Sequence, residues 1–218
     1  LDRAAGPPLS SGRGRVNRRA PPLYLASASP RRRALLEQIG VPYGLLTVTV
    51  DETPRPGEPP EIYVLRLALD KARAGYARLP AAAAEEAWVL GADTSVAVNH
   101  QILGKPRDRA EGLAMLELLS GATHHVYTGV ALVGNERAGS RLSVSAVSFR
   151  SLSREECEDY WRCGEPAGKA GGYAIQGRGA MFISRLEGSY SGVMGLPLFE
   201  TAELLRESGL GDLLGTTP

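Results

Sequence analysis

The sequence predicts a mixed α/β domain, and three observations carry that prediction. Apolar runs suited to strands, above all Trp88–Val98, alternate loosely with segments whose apolar residues recur at helical spacing. Helix-start signals stand directly ahead of those segments: Ser29-Pro30, Asp108 with Glu111, and Ser153 with Glu156. The chain has 218 residues with no internal repeat and no splitting linker, enough to bury one large core, and the domain is expected over residues 21–212.

Residues 1–20 set Arg3, Arg13, Arg15, Arg18 and Arg19 against a lone Asp2, among Gly, Pro and Ser, and read as a disordered basic tail without the apolar core of a secretory signal. The ordered part opens at Leu23 with a short apolar strand. A helix follows, with Ser29 as N-cap, Pro30 at the first helical position, Leu35, Leu36 and Ile39 as its buried stripe, and Gly40 as its stop. Leu45–Val50 reads as a second strand, and the proline-rich Thr53–Pro60 as a loop. Glu61–Arg78 reads as a helix buried through Ile62, Leu65, Leu69, Ala72 and Tyr76, with Lys71 beside that stripe. Trp88–Val98 is a central strand interrupted by Gly91-Ala-Asp-Thr94.

Asp108 and Glu111 open a helix that Gly121 ends. His124–Val133 and Arg141–Arg150 read as strands joined by a polar Gly134–Ser140 connection. Ser153 and Glu156 open a helix to about Cys163. Residues 164–195 are too glycine-rich to assign by periodicity, apart from a strand over Met181–Leu186. Leu198–Ser208 is the last helix, stopped by Gly209.

Composition excludes several classes. A net charge of +1 makes no general case for nucleic acid or membrane as a partner. No run approaches eighteen apolar residues, so no membrane span is expected. Cys157 and Cys163 lack metal-ligand spacing and read as reduced residues of a cytoplasmic protein. His100, His124 and His125 form neither a zinc pattern nor a hydrolase triad, and no P-loop is present.

The candidate chemistry lies elsewhere. Arg31 and Arg32 crowd a helix N-terminus that already carries partial positive charge, which points either to an anion held there or to solvated arginines on a capped surface helix. Asp93 is a carboxylate inside an apolar strand, so it is paired, holds a metal, or caps a turn. Glu52, after the second strand, is the other candidate carboxylate. Among 25 basic residues only Lys71, Lys105 and Lys169 are lysines, which marks them as places where a compact charge matters. Gln176, between glycines, offers a donor and an acceptor suited to a base edge.

Eight motifs stand in one order: Ser27-Ala-Ser-Pro-Arg-Arg32, Asp51-Glu52, Asp70-Lys-Ala72, Gly91-Ala-Asp-Thr94, Gly104-Lys-Pro106, Tyr127-Thr-Gly129, Gly172-Tyr-Ala-Ile-Gln-Gly177 and Gly195-Leu-Pro197. In these the chain, over about residues 23–209, resembles the Maf family of nucleoside triphosphate pyrophosphatases, and the Gly172–Gly177 segment resembles the branch acting on dTTP and UTP. The resemblance implies an elongated mixed-sheet fold, similar to the inosine triphosphate pyrophosphatases, with two lobes around a central cleft. It implies hydrolysis of the α–β phosphoanhydride to a nucleoside monophosphate and pyrophosphate, a house-cleaning and cell-division-linked role, and a homodimer. By the same resemblance Ser27, Arg31, Arg32, Lys71 and Lys105 hold the triphosphate, and Arg31, Thr94 and Gln176 govern substrate choice. Glu52 and Asp93 hold a divalent cation, Mg²⁺ or alternatively Mn²⁺, and Asp93 is also the proton acceptor. The competing expectations are the same chemistry on CTP or modified nucleotides, and a nucleotide- or DNA-binding regulator without turnover.

Overall fold

The computed structural model describes residues 22–99 and 101–215. The basic segment 1–20 lies outside the described residues. In chain order the elements are β1 (Leu23–Ala26), α1 (Pro30–Gln38), β2 (Gly44–Leu46), α2 (Pro60–Tyr76), α3 (Ala81–Ala84), β3 (Trp88–Val98) and β4 (Gln101–Leu103). There follow α4 (Arg109–Leu119), β5 (Thr123–Gly134), β6 (Arg137–Phe149), α5 (Arg154–Arg162), β7 (Ile183–Glu187), α6 (Tyr190–Met194) and α7 (Leu198–Glu207). Short 3₁₀ turns span Ala170–Gly172, Arg178–Phe182 and Gly211–Leu214.

The seven strands form one mixed sheet in the order β2-β1-β3-β5-β6-β7, with β4 paired to β3 off that path. β1 runs parallel to β2 and β3, and the remaining pairs are antiparallel. β3 is one continuous strand, not the interrupted one expected, because its partner β5 continues without a break from Val89↔Val133 to Ala97↔His125. The second strand is shorter than Leu45–Val50. Its last pairing is Ala26↔Leu46, where β1 ends, and the chain beyond has no strand to pair with. The expected Gly134–Ser140 connection is instead a tight turn at Asn135-Glu136, with Glu136 at φ 54°, and β6 starts at Arg137. The strand expected over Met181–Leu186 begins at Ile183, since Met181 and Phe182 close a 3₁₀ turn.

The helix caps form largely as the sequence implies. Ser29 accepts from the Arg32 amide, and Ser153 and Glu156 make the full reciprocal box. At α4 only half of the box exists: Asp108 accepts from the Glu111 amide at 2.9 Å, while the Glu111 carboxylate turns to the Arg107 amide at 2.7 Å.

The buried face of α2 differs from the expected stripe. It runs through Val64, Leu67, Ala68, Ala72 and Gly75, whereas Ile62 is exposed. Where the helix crosses Gly91 and Gly129 it lies on the sheet by close backbone approach. A Cβ on Gly91 would stand 2.2 Å from the Ala68 carbonyl oxygen, and one on Gly129 would stand 2.5 Å from that of Val64. Successive β3 residues point to opposite faces. Gly91 and Asp93 therefore face α2, while Trp88, Leu90 and Ala92 join the apolar cluster of Leu25, Leu36, Leu196 and Leu205. A second cluster, with Val96, Leu116, Phe149, Tyr160 and Tyr173, covers the other end of that face.

Candidate active site

The site forms at a notch in the sheet. β1 pairs with β3 only as far as Leu25↔Leu90, and β4 begins pairing on the same edge at Val96↔Leu103. Among the described residues, 91–95 of β3 therefore have no strand partner on that edge. The chain leaving β1 turns at Ser27–Ser29 into α1, whose N-terminus stands at the notch. A cleft of about 440 Å³ opens there. Its lining brings together the nine residues to which the resemblance assigns roles, Ser27, Arg31, Arg32, Glu52, Lys71, Asp93, Thr94, Lys105 and Gln176, together with Lys169.

On the α2 side, Lys71 extends from the helix to the sheet. Its Nζ lies 2.6 Å from both Asp93 Oδ1 and Glu52 Oε1. The inner pair is the more enclosed, with side-chain exposures of 12% for Lys71 and 10% for Asp93, against 44% for Glu52 and 62% for Lys105. Lys105 Nζ stands 3.5 Å from Glu52 Oε2 and completes a chain of alternating charge. Burial alone would raise the Glu52 carboxyl, but the ammonium groups of Lys71 and Lys105 outweigh it and hold the group below its ordinary value. The loop carrying Glu52 is tied to α2 at several points. Tyr63 Oη donates to the Glu52 carbonyl at 2.8 Å, and Arg66 clasps Glu58 through Nε and Nη2, both at 2.6 Å.

On the opposite face, Arg32 spends most of its donors on the protein. Nε donates to the Gly195 carbonyl at 2.7 Å, Nη1 to Ser27 Oγ and Nη2 to Thr94 Oγ1, both at 3.3 Å. Thr94 Oγ1 lies 3.0 Å from Thr128 Oγ1, which donates to the Gly192 carbonyl at 2.8 Å. Arg31 makes one such contact, from Nε to the Met194 carbonyl at 3.3 Å, so its outer nitrogens remain available to a ligand. Burial lowers the pKa of both guanidinium groups, which stay charged at any ordinary pH.

The far wall is the turn through Lys169–Gln176. Gly171 and Gly172 both have left-handed φ, of 68° and 69°. Gly171 N donates to the Gly104 carbonyl at 3.0 Å, joining this wall to the loop of Lys105. Gln176 is exposed, and Glu165 braces the chain just beyond it by accepting from the Arg178 and Gly179 amides and from Tyr160 Oη. Glu165 and Thr128 are not among the candidates named from the sequence. No periodicity marks either one, because their roles lie in contacts made only on folding.

The donor set suits a divalent cation only in part. Glu52 and Asp93 already converge on one cationic point, that of Lys71 Nζ, and carboxylate oxygens are hard ligands. Among the described residues, no group of three or more His, Cys, Asp or Glu stands together. The two carboxylates therefore fit a cation whose remaining ligands are phosphate oxygens and water.

The sequence profile of the family described as Maf-like protein matches residues 22–208. A dTTP/UTP pyrophosphatase of Alkalilimnicola ehrlichii is 60% identical over 188 residues, covering 86% of this chain and 93% of that protein. Proteins of the same name from Aromatoleum aromaticum and Saccharophagus degradans are 53% and 55% identical, covering 86% and 84% of this chain and 95% and 87% of their own lengths. Among the described residues, no helix is long and apolar enough to cross a membrane.

Proposed function

The chain belongs to the Maf-like protein family, and from that premise we propose that it is a nucleoside triphosphate pyrophosphatase acting on dTTP and UTP. The observation that carries this reading is the charge inventory of the cleft. Five cationic side chains, Arg31, Arg32, Lys71, Lys105 and Lys169, surround two carboxylates, Glu52 and Asp93. That excess of positive charge suits a triphosphate, and the paired carboxylates supply what simple anion binding does not need.

In the reaction, water attacks and the α–β phosphoanhydride breaks, giving the monophosphate and pyrophosphate. Asp93 takes the proton of the attacking water. Its Oδ1 is held by Lys71, while Oδ2 has no hydrogen-bond partner among the described residues and is the oxygen to receive that proton. Lys71, Lys105 and Arg31 neutralise the charge that grows on the departing pyrophosphate. Arg32 fixes Ser27 and Thr94 around it. Glu52 and Asp93 would hold a Mg²⁺ ion, with Mn²⁺ as the alternative, which when bound would supply further charge neutralisation on the phosphates. Gln176, on the exposed turn, reads the O4/N3 edge of uracil or thymine with its amide. A homodimer located in the cytoplasm completes the reading.

The test is pyrophosphate release from a panel of nucleoside triphosphates with Mg²⁺, run beside Asp93→Asn. Turnover of dTTP and UTP that disappears in a folded variant supports the reading. Binding without turnover by the natural protein would replace it with a nucleotide sensor.

A further inference from the structure

Behind the wall that carries Gln176 lies a buried polar pair that contacts neither phosphate-binding group nor carboxylate. His124, on β5, is fully buried, and Tyr173 is only 4% exposed. His124 Nε2 lies 2.7 Å from Tyr173 Oη, and Phe149 stands edge-on to both rings. His124 Nδ1 is buried without a partner among the described residues.

Counting protons assigns the direction of this bond. With the ring proton on Nε2, the tyrosine proton and the bare Nδ1 would both be left unpartnered. With the proton on Nδ1, the tyrosine donates to Nε2 and a single N–H is left over. The second arrangement strands one group instead of two, so the tyrosine is the donor. Burial, and to a lesser degree His125, pushes the His124 pKa down to about 4, which keeps Nε2 an acceptor at neutral pH.

Tyr173 is also where the turn needs an anchor. It follows two consecutive left-handed glycines, whose backbone freedom must be restrained from outside. It is one of the residues lining the cleft, and its hydroxyl reaches His124. Further restraints act beside it: Gly171 N on the Gly104 carbonyl, Gly172 N on that of Lys169, Tyr160 Oη accepting from Ala174 N at 3.1 Å, and Ile175 buried in the first apolar cluster.

We infer that His124 is a positioning residue for nucleotide selection: by accepting the Tyr173 hydroxyl it fixes the Gly172–Gln176 turn and so sets where the Gln176 amide meets the base. The inference rests on the assignment of base recognition to Gln176. A merely structural pair would lower stability and leave the ranking of nucleotides unchanged.

The experiment compares the natural protein with Tyr173→Phe, His124→Leu and His124→Gln. KM, kcat and calorimetric affinity are measured for UTP, dTTP and CTP, with thermal melts alongside. Tyr173→Phe keeps the ring and removes only the hydroxyl, so it carries the test even if His124→Leu fails to fold. The expected result is a KM for UTP raised about 3- to 10-fold, the size of one lost hydrogen bond, with a smaller change in kcat and a narrowed preference for UTP over CTP. His124→Gln, whose Oε1 can accept from Tyr173, should recover most of that loss. A folded Tyr173→Phe with unchanged KM, affinity and ranking overturns the inference. A natural protein that binds UTP without hydrolysing it would defeat the enzymatic reading alone, and the affinity ratios would still decide this one.

Discussion

The Lys71 ammonium lies 2.6 Å from Asp93 Oδ1 across the contact between α2 and β3, so the charge that Asp93 needs is supplied by the helix packed on its own strand. Replacing Lys71 by Met removes a cation and leaves a nearly buried carboxylate uncompensated. We expect a loss of about 3 kcal/mol in stability and a fall in kcat of at least about 100-fold. Urea unfolding and steady-state rates check both. Near-natural turnover in Lys71→Met would remove the lysine from the mechanism.

The two neighbouring arginines should respond differently to the same substitution. Arg32→Lys loses a guanidinium that joins Gly195, Ser27 and Thr94. It should cost about 1–3 kcal/mol in stability as well as activity, because buried partners are left unpaired. Arg31→Lys gives up one carbonyl contact and should weaken triphosphate binding with little change in melting. Equal stability losses in the two variants would contradict this division.

Glu58 carries a pH signature. Its hydrogen bonds with Arg66, helped by the Arg55 amide and opposed by burial, lower its pKa from 4.5 to about 2. A depressed carboxyl contributes stability that is complete above the unfolded value and is lost as pH falls from about 4.5 toward 2. In Glu58→Gln that acid limb should flatten, which denaturation midpoints at pH 6 and pH 3 can measure. The loop bearing Glu52 is tethered by the same clasp, so the variant should also need more Mg²⁺ for half-maximal rate. An unchanged acid limb would argue that the Arg66 contact is not kept in solution.

Gly91→Ala tests the backbone contact beneath α2. The added methyl would stand 2.2 Å from the Ala68 carbonyl oxygen and 2.7 Å from the Ala72 nitrogen, neither of which can rotate away. The helix must lift, at a cost of about 1–3 kcal/mol, and Lys71 must lift with it. Stability and kcat should therefore fall together, whereas a loss of stability alone would mean that Lys71 follows Asp93 by side-chain adjustment.

The sequence made the site more legible than the fold. Asp93 within an apolar strand, arginines at a helix start and three scarce lysines are each costly to place without a partner, and such residues stand out. The stripe on α2 did not, because glycine and alanine share its buried face with Val64 and Leu67, and bulk alone was the wrong guide. Lys71 sits on the buried face at the spacing of Val64, Ala68 and Gly75, a lysine where apolar periodicity demands none. The limits of β2 and β6 depended on where partner strands end and turn, which local composition does not encode. Thr128 acts on a loop distant in the chain and Glu165 on the amides of a nearby irregular turn, so their partners were invisible before folding.

The notch between β1 and β4 has a consequence for association as well as for chemistry. An unpaired stretch of sheet edge is a template on which another polypeptide can add a strand, and proteins commonly guard such edges with charge. Here residues 91–95 lack a strand partner on that edge among the described residues, with Arg32 on one face and Lys71 with Glu52 on the other. The charged groups proposed to receive a nucleotide thus also stand where a passing peptide would have to add its strand, and neutralising them would remove the charge that guards this edge.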